Sequence, residues 1–172
     1  MSGDRVDEIQ TAWRRERPDI DVGSIAILTR ALLIGRHLQK AREKALRELG
    51  TDTPTLDVLA TLRRAGPPYR LRTSEIETAS PVTAGAISQR LDRLERRGLV
   101  RRQRDHTDRR VIHVSLTGEG RRLIDGIVAG LMEKEEVLLT PLSERERASL
   151  ERLLTRWLRW LDQHDRDARA GR

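Results

Sequence analysis

The chain has 172 residues, of which 37% are hydrophobic and 35% charged, with a formal net charge of +7 and no cysteine. The lack of cysteine excludes disulfides, thiolate metal sites and cysteine nucleophiles, and no apolar run approaches the ~20 residues a membrane-spanning helix needs. The positive balance points to a polyanion, of which nucleic acid is the commonest.

The lysines are three, Lys40, Lys44 and Lys134, so arginine carries the charge. Arginine is the better planar donor to phosphate and guanine, although genome composition produces the same bias. The opening MSGDRVDEIQ lacks the apolar core of a secretory signal, so a soluble, cytoplasmic protein is expected.

In chain order, residues 5–17 read as a short helix with Val6, Ile9 and Trp13, which Pro18 and Gly23 break. A long helix is expected over 24–49, with Ile25, Leu28, Leu32, Leu38, Leu46 and Leu49 near one stripe and Gly50 as its stop. The next helix is expected to take Thr53 as N-cap and Pro54 at its first position. Its Leu56, Val58, Leu59 and Leu62 spread around most of the circumference, which predicts burial.

Thr73 is expected to cap a short helix, and Ser80 followed by Pro81 to cap a longer one that ends at Gly98. Only a tight turn near Ala79 separates the two, which makes a helix-turn-helix. LVRRQR and RVIHVSL then read as two strands joined by DHTD, a β-hairpin wing. Thr117 starts a helix over about 118–138, and Pro141 breaks it. Ser143 and Glu146 form a capping box for a last helix that stacks Leu150, Leu153, Leu154, Trp157, Leu158 and Leu161. Beyond Asp162 the polar tail is expected to fray.

The fold class expected is mainly α with a small β-wing, a winged helix-turn-helix. The apolar terminal helices, far in sequence from the basic block, predict a homodimer joined through both ends.

Between Ser80 and Arg110 stand nine arginines and four acidic residues, a local excess of +5 in about a fifth of the chain. A solvated helix face with pairs such as Asp92–Arg96 would look similar, but the accompanying wing favours DNA. The N-terminal half of the second helix of such a motif enters the major groove. That nominates Thr83, Ala84, Ser88 and Gln89 for base edges, glutamine being suited to adenine. Arg93 and Arg96 are expected at phosphates, with Thr73 and Ser74 at the start of the preceding helix. The wing tip would bring His106, Arg109 and Arg110 to a minor groove, with Asp105 and Asp108 holding the turn.

LDVLATLRRAG and SQRLDRLERRGLVRRQRDHTDRRVIHVSLTGEGRRL, with their flanking helices, resemble the MarR family of transcriptional regulators over nearly the whole chain. The resemblance implies a homodimer on double-stranded DNA, at a pseudo-palindromic operator, usually as a repressor that small aromatic anions release. Three segments follow: 1–50 for dimerisation and ligand, 51–116 for the winged helix-turn-helix, and 117–172 for C-terminal dimerisation. Trp13, Asp57, Arg90 and Arg102, the leading helix and GPPYRL are similar to the ligand set of the family's urate-responsive branch. The indole would meet a flat purine and the arginines its anionic edge, while Asp57 would accept ring N–H protons or pair with Arg90 or Arg102. A phenolic or other ligand, or an architectural DNA-binding protein without one, are the alternatives. No cofactor or metal is expected, because the four histidines, His37, His106, His113 and His164, are scattered and no metal-ligand or catalytic spacing appears.

Overall fold

The computed structural model describes residues 3–79, 84–108 and 110–171. Seven helices and three strands occur among them: α1 (Arg5–Glu16), α2 (Ile25–Glu48), α3 (Thr53–Arg64), β1 (Arg70–Arg72), α4 (Thr73–Thr78), α5 (Ala84–Arg96), β2 (Val100–Arg104), β3 (Ile112–Leu116), α6 (Gly118–Leu138) and α7 (Glu144–Ala170). Two compact units are distinguished, Met1–Leu131 and Met132–Arg172, the division falling within α6. No helix among the described residues is long and apolar enough to cross a membrane.

In the first unit, α1 starts at an Asp4–Asp7 capping box. Arg30 of α2 donates to the Asp4 carboxylate (2.8 Å) and to Asp7 Oδ1 (2.6 Å), and Gln10 Nε2 donates to the Val22 carbonyl (3.0 Å), so α1 is fastened to α2. The N-cap of α3 is Asp52, whose side chain accepts from the Thr55 amide (2.8 Å); Thr53 is the first helical residue rather than the cap. Asp and Thr both cap well, and the extended backbone of Asp52 decides between them.

Both glycine stops behave alike. Gly50 and Gly98 have φ of 70°. At each, the glycine amide bonds back to Arg47 or Glu95, and the next amide reaches Leu46 or Leu94 (2.9–3.0 Å). This closes the last carbonyls of α2 and α5 in a Schellman arrangement, where a left-handed residue suits glycine.

The wing has a strand more than expected. Its antiparallel sheet runs β1-β3-β2, with Leu71 and Arg102 both opposite Val114, and Arg70 and Arg101 both opposite Ser115. The core of this unit gathers Leu46, Leu56, Leu59 and Leu62, then Ile76, Ile87, Leu91 and Leu94, and closes on Val100, Val114, Ile124 and Leu131. Thr117 Oγ1 accepts from the Gly120 amide (3.0 Å) to start α6 beside the base of the wing.

In the second unit, the Ser143–Glu146 capping box forms as expected. Arg147 is anchored by Glu136 and by the carbonyls of Leu139 (2.9 Å) and Leu142 (3.1 Å). α7 does not fray at Asp162 but runs to Ala170. Local pairs support the extension: Trp160 stacks on His164 at 5.0 Å, and Gln163 donates to Asp167 (2.8 Å).

Candidate nucleic-acid interface

α5 separates two chemistries on opposite sides. Ile87, Leu91 and Leu94 are at most 1% exposed and fix the helix on the core. Gly85, Ser88, Gln89, Arg93 and Arg96 lie on the exposed side, as a 100° step per residue predicts. Ala84 is the first residue of the helix, and Thr83 falls outside the described residues. Arg96 Nε donates to the Asp92 carbonyl (3.3 Å), so the Asp92–Arg96 ion pair of the alternative solvated-face reading is not formed through the carboxylate.

The Asp92 carboxylate instead takes the Arg102 guanidinium, with Arg102 Nε 3.1 Å from Glu95 Oε2 and the Arg102 amide donating to Glu95 Oε1 (2.8 Å). Arg102 is thereby a brace between β2 and α5. The expected pairing of Asp57 with Arg102 is not formed, because Arg102 alternates inward on β2 toward the two acids that α5 presents one turn apart. Sequence reading did not pair Asp92 and Glu95 with Arg102. Their signal was the three-residue spacing that puts both on one helix side.

The N-cap of α4 is Arg72, whose backbone is extended, and not the expected Thr73, which is the first helical residue and is followed by Ser74. Thr73 Oγ1 donates to the Ile112 carbonyl (3.2 Å), which ties α4 to β3, while Ser74 is exposed. At the wing tip, Asp105 Oδ1 accepts from the Thr107 hydroxyl (2.6 Å), the Thr107 amide (2.9 Å) and the Asp108 amide (3.3 Å), and Oδ2 meets His113 Nε2 (2.9 Å). These bonds, those of Thr107 first, hold the Asp105 carboxyl well below the usual carboxylate range. Asp108 Oδ1 accepts from the Arg110 amide (2.9 Å). The turn therefore holds itself, leaving His106 and Arg110 exposed at the tip; Arg109 lies outside the described residues.

A polar cavity of about 440 Å³ opens between the start of α3 and α5, lined by Asp52, Thr55, Arg90, Arg93, Leu94, Arg96 and Arg97. Arg90 Nη1 is buried and has no hydrogen-bond partner among the described residues. Four of the lining residues, Arg90, Arg93, Arg96 and Arg97, are arginines, which gives the cavity donors for an anion. Burial works against ionisation of Asp52. The Thr55 hydrogen bonds and the charges of Arg90 and Arg93 outweigh it and keep that carboxyl below its ordinary value.

Arg90 thus lies near Asp52 rather than in the expected pair with Asp57, which is half-buried on α3 and has no side-chain partner among the described residues. Trp13 is 48% exposed on α1. Of Trp13, Asp57, Arg90 and Arg102, the cavity beside α5 is lined by Arg90 alone.

A short helix, a longer helix with a polar exposed side, and an antiparallel wing define a winged-helix DNA-binding protein. The sequence model of the MarR family matches residues 49–111. The HTH-type transcriptional regulator PecS of Dickeya dadantii is 36% identical over 88% of this chain and 91% of its own length. The HTH-type transcriptional repressor MdtR of Bacillus subtilis is 33% identical over 63% of this chain and 68% of its own. A crystal structure of a mutant MarR from Escherichia coli complexed with operator DNA aligns at a TM-score of 0.63 and 26% identity, covering 81% of this chain and 99% of that one. The chain belongs to the MarR family, and is a transcriptional regulator that binds DNA.

Proposed function

We propose that the protein is a ligand-responsive repressor, which holds a pseudo-palindromic operator as a homodimer and leaves it when a small aromatic anion, urate or a related purine, binds. The observation that carries the ligand reading is the arginine-lined cavity beside α5, to which Arg90 contributes. An anion taken by Arg90 acts on the helix that presents Ser88, Gln89, Arg93 and Arg96, so occupancy and DNA affinity are coupled through one rigid element. Couplings of this kind typically amount to ~1–3 kcal/mol. Trp13 and Asp57 would complete the site as a flat apolar surface and an N–H acceptor. Arg102 would join it by leaving Asp92 and Glu95, which would also loosen the wing from α5.

On the DNA side, Thr83, Ala84, Ser88 and Gln89 read bases, Arg93, Arg96, Thr73 and Ser74 hold phosphates, and His106, Arg109 and Arg110 enter a minor groove. The repressor reading is supported by the name of MdtR. Pairing through segments 1–50 and 117–172 is supported by uncovered apolar side chains on both: Ile27, Leu28 and Leu32 on α2, and Leu153, Leu154 and Leu158 on α7, are 48–68% exposed in the single chain.

The test is a melting-temperature titration with urate, xanthine and salicylate, combined with a mobility shift on the DNA upstream of the protein's own coding sequence. Urate is expected to raise the melting temperature and release the DNA. Arg90→Ala is expected to lose that response while keeping most of its ligand-free DNA affinity. A flat response to all three compounds contradicts the ligand reading and leaves DNA binding untouched.

A further inference from the structure

We infer that the outer face of the wing sheet is a second DNA contact surface, which takes the phosphate backbone of DNA flanking the operator. The inference rests on the DNA-binding role of the family and adds a surface to it.

The register of the three strands builds this face. Side chains alternate across a strand, and Leu71, Val114, Val100 and Arg102 point inward, to the core or to α5. Their alternates therefore point outward in two cross-strand rows, Arg70–Ser115–Arg101 and Arg72–His113–Gln103. Arg70, Arg72, Arg101 and Gln103 are exposed. No carboxylate occupies either row, and no side-chain ion pair of Arg70, Arg72 or Arg101 exists among the described residues.

The acids that border the face are engaged. Glu75 Oε2 accepts from the Arg72 amide (2.6 Å), and Asp105 is bound by the turn and by His113.

Arg70 and Arg72 share one side of β1, Arg101 lies across β3 from Arg70, and no ion pair among the described residues offsets their mutual repulsion. Phosphates would neutralise them and release counterions. The face is continuous with the wing tip, which the DNA reading sends to a minor groove, and it lies on the side of the sheet away from α5. The duplex it meets is therefore the part beyond the wing, outside the bases that α5 reads. Arginine on a backbone positions without specifying, so the surface lengthens the footprint without adding sequence preference.

The experiment measures anisotropy of the full-length protein on two labelled duplexes across a salt series. One carries the operator alone; the other extends it by about one helical turn, ~10 base pairs, at each end. The longer duplex is expected to give a steeper dependence of log K on log salt, by about 0.9 for each added phosphate contact. Arg70→Gln/Arg72→Gln/Arg101→Gln is expected to abolish that difference while leaving binding to the short duplex unchanged. If the triple variant melts early, Arg70→Gln alone, at the exposed edge strand, is expected to reduce the difference.

Equal slopes on both duplexes for the unaltered protein, or a difference that survives the substitutions, overturn the inference alone. Binding to neither duplex overturns the DNA reading together with it. Arg93→Ala/Arg96→Ala, weakening both duplexes equally, separates the two.

Discussion

α5 and α7 space their apolar residues in the same three-and-four pattern and bury them to opposite extents. Ile87, Leu91 and Leu94 of α5 are at most 1% exposed, whereas Leu153, Leu154 and Leu158 of α7 are half exposed or more, beside an open apolar groove that includes Leu142, Leu150 and Trp157. α2 contains the same contrast within one helix: Ala45 and Leu46 enter the core, while Ile27, Leu28 and Leu32 meet solvent. A periodic stripe records that a helix face requires cover. It does not record whether the cover comes from the same chain. In α5 the cover is intramolecular and positions a polar exposed side; in α7 it is left for the proposed second copy.

Substitutions that act differently on the two kinds of face sharpen this contrast. The largest effect is expected from Leu158→Glu, which would place a charge in an apolar interface at a cost of several kcal/mol. Sedimentation is expected to show a monomer, and operator affinity to fall by about 100-fold or more. Unchanged sedimentation would break the contrast. Leu59→Ala, at 0% exposure in the core of the first unit, is expected to cost about 2–5 kcal/mol. The loss should be read as a fall in melting temperature that is the same at every protein concentration, whereas the α7 variant makes its loss through association.

The smallest effect concerns the wing. Because the Asp105 carboxyl is held below its unfolded value of ~3.9, its contribution is present above that pH and is lost as pH falls through the depressed folded value. Amide exchange at Thr107 and Asp108 should therefore stay protected well into acid, and Asp105→Asn should weaken that protection even at neutral pH, with the core unaffected. Identical exchange in the variant would remove Asp105 as the organiser of the turn.

What the sequence revealed was chemistry that acts locally. The stops at Gly50 and Gly98, the Ser143–Glu146 box and the turn-forming DHTD need only a few neighbouring residues, and the structure forms each of them. The exposed and buried sides of α5 followed from its period alone. β1 was not legible because three residues, Arg-Leu-Arg, are too short to show alternation, and pairing with β3 across more than forty residues makes the strand.

The partners of Arg102 were missed for a related reason. Asp92 and Glu95 reach it only once the chain turns at Gly98 and brings β2 back along α5. Asp52 displaced Thr53 as a cap because two capping residues stand side by side, and sequence does not say which one is extended. The length of α7 was underestimated because the stripe was taken as the helix, although Trp160–His164 and Gln163–Asp167 continue it without a core.

The central claim is that α5 and the wing of a symmetric pair of chains read one particular DNA sequence. Hydroxyl-radical footprinting of the full-length protein on the DNA upstream of its own coding sequence tests it most directly. The account predicts one protected site with two-fold symmetric half-sites about one helical turn, ~10 base pairs, apart, and loss of that protection in Arg93→Ala/Arg96→Ala. Uniform protection along any fragment, unaffected by those substitutions, would contradict it and leave a basic protein that coats DNA without reading it.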